Sequence, residues 1–410
     1  MNQRDPNTNE EEIGRMGFSA QKTCPSCSCK NTSMFHRVDQ VPVHSVLLMT
    51  SRDMALNYPK GDIALALCGG CGFIWNTAFD ARLLEYSTQY EETQAFSPTF
   101  ATFHQQLAAS LIERYDLRKK VVLEIGCGKG DFISLLCQMG ENSGIGFDPA
   151  YISTRNASPA KDRVTFVQDF YSEKHGPCGA DFVCCKMTLE HIPDTARFVA
   201  MVRQAVGDRP ETVVFFQVPD TKRILREVAF WDIYYEHCSY FGAGSLARMF
   251  RGCGFDIINV YTEYADQYLM LEARPGNETH RRPLAAEENV ASLAKDVKHF
   301  CREYQRKVES WTRVIQEGRK KALRMVVWGS GSKGVSFLTT LGIRDEIEYV
   351  VDINPHKHGK YMPGTGQQIV PPTFLQEYRP DRVIVMNSIY QDEIARALRE
   401  MGLSPELLPL

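Results

Sequence analysis

The chain has 410 residues, 43% of them hydrophobic, and a formal net charge of −3. That length predicts two or three domains with ample cores, and the charge balance argues against a broad nucleic-acid surface. No apolar run approaches the ~18 residues that a membrane helix needs.

Residues 1–20 contain no apolar signal core and read as a solvated tail. With 13 cysteines in the chain, this leads to the expectation of a reducing, cytoplasmic setting in which thiols are buried or bind metal rather than pair. Residues 21–84 carry two C-x-x-C knuckles, Cys24/Cys27 and Cys68/Cys71. Each knuckle lets two thiolates of one turn reach the same ion, and four thiolates suit a closed structural Zn2+ site with no place for a catalytic water. The roughly 40 residues between them predict a small sheet. A pair of redox motifs is the alternative, but the βαβ context is missing. His44 finds no vacancy among four thiolates, and Cys29 reads as a bystander. Residues 81–118 read as helices with polar breaks; Tyr86, Tyr90 and Phe96 form an aromatic connector able either to cover a ligand or simply to pack.

From Val121 the pattern alternates strand and helix, with strands at 121–125, 144–147, 164–167, 182–185 and 213–217. An antiparallel pair, 255–261 and 268–273, closes the sheet. The first strand runs into Glu124 and then Gly126-x-Gly128-x-Gly130, a tight turn before a helix. Asp148 ends the second strand, 18 residues after Gly130, where a carboxylate can accept hydrogen bonds from ribose hydroxyls. The turn is not G-x-G-x-x-G. Glu124 would repel a pyrophosphate and suit a cationic ligand. Residues 279–320 are rich in Glu, Lys and Arg. The Pro- and Gly-free stretch 287–316 predicts a long amphipathic connecting helix. Residues 321–410 open a second βα unit with Gly329-x-Gly331-x-x-Gly334 and Asp352 at the next strand end, which does match a dinucleotide fingerprint.

Together with Asp169-Phe170 and the Leu189–Asp194 stretch LEHIPD, the central segment resembles a class I S-adenosylmethionine (SAM) methyltransferase. The resemblance implies that Glu124, Gly126, Gly128 and Gly130 lie at the methionine part of SAM, Asp148 at the ribose, and Asp169 and Phe170 at the adenine. Between the fifth strand and the closing pair, Tyr234–Phe241 reads YYEHCSYF. This stretch, with a four-cysteine module before it and a truncated Rossmann-like unit after it, is similar to nucleotide-sugar C-methyltransferases, whose hallmark is Y-x-E-H-x-S-Y-F. The fold implied is α/β: a class I SAM methyltransferase Rossmann-like domain (85–278) flanked by a small zinc-binding module (21–84) and, beyond the connecting helix (279–320), a second Rossmann-like α/β domain (321–410). The resemblance also implies catalytic roles for Tyr234, His237, Glu236 and His191.

The chemistry expected is removal of a proton beside a ketone, followed by attack of the enolate carbon on the SAM methyl. His237 is the leading base, since its ordinary pKa is about 6.5. Tyr234 is an enolate-stabilising donor, or a base if its pKa is lowered, and Glu236 is placed to orient His237. The expected substrate is a small molecule, a nucleotide-linked keto sugar, with neither nucleic acid nor membrane as partner. Three alternatives stay open: methylation of carbon, oxygen or nitrogen on another small molecule; an NAD-dependent oxidoreductase using Gly329–Gly334; and a zinc-containing RNA methyltransferase.

Overall fold

The computed structural model describes residues 22–84, 89–156, 158–177, 179–276 and 282–410. The expected tail at 1–20 and Tyr86 lie outside them.

The N-terminal module is an antiparallel sheet. Strand β1 (Thr32–Pro42) pairs with β2 (Lys60–Cys68), with helix α1 (Arg52–Leu56) in the connection, and β2 pairs with β3 (Ile74–Asn76). The sheet expected between the two cysteine knuckles is therefore present. Next comes helix α2 (Pro98–Tyr115), one helix where broken pieces were expected. Pro98 occupies its first turn, and the Ser97 hydroxyl accepts the Phe100 amide at 3.3 Å, which is favourable N-terminal chemistry.

The central sheet begins with β4 (Val121–Ile125), α3 (Asp131–Gly140), β5 (Ser143–Phe147), β6 (Val164–Val167), β7 (Phe182–Lys186), α4 (Thr195–Val206) and β8 (Val213–Pro219). After helix α5 (Thr221–Glu227), the short strand β9 (Ser239–Tyr240) leaves this sheet and pairs with β3 of the N-terminal module, Ile74 opposite Tyr240. Helix α6 (Ala243–Gly252) then leads into β10 (Phe255–Glu263) and β11 (Tyr268–Pro275), the antiparallel closing pair. The order is β10-β11-β8-β7-β4-β5-β6. Strand β4 lies between β5 and β7, so connections leave it in both directions. Such a switch point opens a crevice at the carboxyl ends of the strands.

Helix α7 (Val290–Lys320) starts at Asn289, whose side chain accepts the Ser292 amide at 2.8 Å. It buries Leu293, Val297 and Phe300 against the N-terminal sheet and Ile315 against the C-terminal unit. It passes through Gly318 and ends at Lys320. There a methyl group would lie 2.4 Å from the Met325 sulfur, so glycine is used for close packing.

The C-terminal unit contains β12 (Met325–Trp328), α8 (Ser332–Thr340), β13 (Tyr349–Val351), β14 (Gln368–Val370), α9 (Leu375–Tyr378), β15 (Arg382–Val385), α10 (Gln391–Glu400) and β16 (Glu406–Pro409). Its five strands are parallel in the order β14-β13-β12-β15-β16. It closes over the central crevice. Gln267 and Asn387 exchange amide hydrogen bonds at 2.9 Å, and the Tyr264 hydroxyl donates to that of Tyr390 at 2.9 Å. Among the described residues, no helix is long and apolar enough to cross a membrane.

Candidate active site

A cavity of about 630 Å³ lies where the two α/β units face each other. Gly126, Gly128, Asp148, Asp169, Phe170, Glu190, His191, Tyr234 and His237 stand on one side, and Gly329, Gly331, Ser332, Lys333 and Lys357 on the other.

The central glycine turn is shaped first by the protein itself. Gly126 has φ +72°, and a methyl group there would meet the Thr188 hydroxyl at 2.0 Å. Gly130 has φ +83°, and a methyl group there would meet the Phe166 ring at 2.5 Å. Both are positions where a side chain is strained and obstructed. Gly126 and Gly128 reach the cavity wall. Gly130 does not, because it is turned toward Phe166 at the start of α3. Glu124 is likewise set back from the wall, behind the turn. Its side chain is 2% exposed and accepts the Ile133 amide at 3.0 Å, and burial pushes its carboxyl up to about 7. Its local role is to satisfy the first turn of α3.

Asp148 faces the cavity while accepting the Gly128 amide at 2.8 Å and the Ala150 amide at 2.7 Å. Asp169 is paired with Lys174 at 2.5 Å, and that ammonium holds its carboxyl below the usual range. Phe170 is 58% exposed at the cavity edge and offers an aromatic face. A backbone turn, a carboxylate beyond the next strand and an exposed ring, in that spatial order, fit an adenosyl group.

The chemistry-bearing cluster grows from a tight turn. The His237 amide bonds the Tyr234 carbonyl at 3.2 Å, so these two side chains emerge together. The Tyr234 hydroxyl and His237 Nε2 are 2.8 Å apart. The same turn sends Glu236 the other way, which corrects its expected role of orienting His237. The Glu236 carboxylate accepts from His44 Nδ1 at 3.1 Å, from the Ser45 amide at 2.9 Å and from the Ser45 hydroxyl. Ser45 in turn reaches Ser332 at the start of α8 at 2.8 Å. The partner of His44 is 192 residues away, and no local pattern announces it.

Glu190 and His237 are buried, and Tyr234 is half-buried. Glu190 Oε1 lies 3.9 Å from His237 Nε2. The Glu190 carboxylate and ring nitrogens of His191 and His237 fall within 4.8 Å of one another. Burial pushes Glu190 up to about 8. Burial, with His191 and Lys333, pushes His237 well below its ordinary value, so the imidazole is neutral at neutral pH. Burial raises Tyr234 well above its ordinary value. This favours the hydroxyl form of Tyr234 over the phenolate that a base would need. Sequence reasoning passed over Glu190, although it sits inside the LEHIPD stretch.

In the second glycine turn, Asp352 is already engaged. It accepts the Ser330 amide at 3.0 Å, the Ser330 hydroxyl at 2.5 Å and the Asn354 amide at 2.8 Å. A methyl group at Gly334 would sit 2.4 Å from the Gly329 carbonyl, so this glycine serves helix–strand contact. Away from the cavity, the sulfurs of Cys24 and Cys71 are 3.7 Å apart and those of Cys27 and Cys68 3.6 Å, all four lying within 4.8 Å of one another. Tetrahedral Zn2+ with bonds of about 2.3 Å has sulfur–sulfur edges of about 3.8 Å, which this set fits.

The fold and the cavity define the class, a SAM-dependent methyltransferase. Residues 100–260 match the family described as "Methyltransferase domain", and residues 271–404 match "C-methyltransferase C-terminal domain". The chain is 28% identical over 313 residues to C-methyltransferase NovU of Streptomyces niveus, covering 71% of this chain and 72% of that protein. Both family models and this relative are methyltransferases, and the C-terminal model and the relative are C-methyltransferases, which this chain resembles along most of its length. A ubiquinone biosynthesis O-methyltransferase of Yersinia enterocolitica is 31% identical over 103 residues, 24% of this chain and 41% of that one. Among solved structures, the riboflavin-analogue dimethyltransferase RosA of Streptomyces davawensis aligns with a TM-score of 0.36 and 21% identity, over 43% of this chain and 55% of that one.

Proposed function

We propose that this methyltransferase acts on a carbon beside the ketone of a nucleotide-linked sugar, through an enolate. The observation that carries the reading is the Tyr234–His237 pair, 2.8 Å apart on the wall of a cavity shared by both glycine turns. Gly126, Gly128, Asp148, Asp169 and Phe170 would hold SAM, which supplies an electrophilic methyl group. The four thiolates of Cys24, Cys27, Cys68 and Cys71 would hold a structural Zn2+ remote from this chemistry.

His237 Nε2 faces Tyr234, and its Nδ1 is buried with no hydrogen-bond partner among the described residues. Nδ1 is assigned the proton of the substrate carbon. If Nε2 carries the hydrogen toward Tyr234, the Tyr234 hydroxyl is released to donate to the ketone oxygen as it gains charge. His191, with its ring centre 4.9 Å from that of His237, borders the same space. At the opposite wall, the start of α8 with Ser332 and Lys333, and Lys357 nearby, suits the phosphates of a nucleotide.

The test is incubation with labelled SAM and a panel of nucleotide-linked 4-keto sugars, read by mass spectrometry. Methyl transfer to carbon in at least one is expected; transfer only to oxygen or nitrogen of other acceptors would overturn the reading. His237→Ala should still bind SAM but lose solvent-hydrogen exchange at the acidic carbon by about 10²-fold or more. Unchanged exchange in that variant would remove His237 from the base role.

A further inference from the structure

We propose that Glu190 is the positioning residue for His237, the carboxylate that faces the imidazole when it takes the substrate's proton; this rests on the enolate reading above. Three observations lead here. Glu190 is 0% exposed, and neither carboxylate oxygen has a hydrogen-bond partner among the described residues. It lines the cavity, with Oε1 3.9 Å from His237 Nε2. The other acid of the cluster, Glu236, is committed to His44 and Ser45. A buried carboxyl without partners is costly in the resting protein and gains most when a cation forms beside it.

The titratable groups acting with Glu190 are His237, Tyr234 and Cys238 on the 234–238 turn, Cys185 on β7, Tyr268 on β11, and His191 beside it. No Lys or Arg contributes to its shift.

In the step, the C–H bond beside the ketone breaks and its proton passes to His237 Nδ1. Its electron pair enters the enolate, and the imidazolium, its Nε2 hydrogen still directed at Tyr234, carries its charge 3.9 Å from Glu190. The enolate carbon then bonds the methyl group as the methyl–sulfur bond breaks, with that pair going to sulfur. The imidazolium proton leaves to solvent. A protonated Glu190 cannot receive the charge, so turnover should rise as pH climbs through about 8.

The full-length chain and its Glu190→Gln variant are compared in two ways. In deuterated water with SAM and a keto-sugar substrate, the variant should lose about 10²-fold in exchange and in kcat, keep KM within about threefold, and lose the rise near pH 8. Independently of any substrate, the 15N signals of His237 should show a step near pH 8 in the unaltered chain and none in the variant. Wild-type exchange with an unchanged pH profile in the variant, or identical His237 titrations in both proteins, would overturn the role of Glu190. Failure of the unaltered chain on every keto sugar would instead sink the substrate reading, and the His237 titration then decides Glu190 by itself.

Discussion

Two buried glutamates, Glu124 and Glu190, and the half-buried Glu92 have carboxyls that folding makes harder to ionise. Burial pushes Glu190 up to about 8 and Glu92 and Glu124 up to about 7, from an ordinary 4.5. A carboxyl raised on folding contributes stability that is fully present below its unfolded pKa and is lost as pH rises through the folded one. The chain should therefore lose stability between about pH 5 and about pH 8. Glu190→Gln should leave the melting temperature unchanged near pH 5 and raise it near pH 9, by differential scanning fluorimetry, while activity falls. Equal melting temperatures at the higher pH would show that Glu190 does not carry this burden. At this scale the sequence was readable where motifs are local. Gly126, Gly128 and Asp148 reach the cavity together, because a strand, a turn and the next strand end are set by spacing alone. The directions of Glu236 and Glu124 were not readable. One depends on a turn that rotates neighbouring side chains apart, the other on a helix start needing a hydrogen-bond acceptor.

At the scale of elements, the N-terminal sheet does more than hold cysteines. Its β1–β2 connection carries His44 and Ser45, which fix Glu236 and touch α8. Cys68 ends β2, and Cys71 stands just before β3, the strand that pairs with β9. Loss of metal should thus be felt at the cavity. Stripping zinc with a chelator, or Cys68→Ser with Cys71→Ser, should cut activity by about tenfold or more while zinc content falls to zero. SAM affinity, read by calorimetry, should change far less, because Gly126, Gly128 and Asp148 belong to the central sheet. A metal-free chain with full activity would refute this coupling. Most strand positions followed from apolar runs, and the long helix from its lack of breakers. Its last turn passes through Gly318, where Met325 packs closely. The pairing of β9 with β3 had no local sign.

Across the whole molecule, the cavity exists because the C-terminal unit is clamped to the central one. Asp232 is the pivot. It bonds Arg223 and lies 2.6 Å from Lys333 on α8. Burial opposes its charge, but Lys333 and Arg223 outweigh that and hold the carboxyl below its ordinary range. Removing the carboxylate charge leaves the half-buried Arg223 and Lys333 uncompensated, a change that costs at most about 3–5 kcal/mol. Asp232→Asn should destabilise the chain by that order, measured by urea unfolding, and raise KM for the substrate by loosening Lys333. A change under about 1 kcal/mol would mean that the charges are solvated in solution. The sequence did show two βα units with glycine turns. It could not show that they face one cavity, because that follows from contacts such as Gln267 with Asn387 across 120 positions.

The strand exchange between β3 and β9 also bears on how the chain is made. The N-terminal sheet is completed by Ser239 and Tyr240, which a ribosome adds roughly 160 residues after Asn76. At about 5–20 residues per second, that leaves a gap of about 10–30 s in which β3 has an open edge. Early metal capture by the four thiolates would hold the nascent module in shape through that interval.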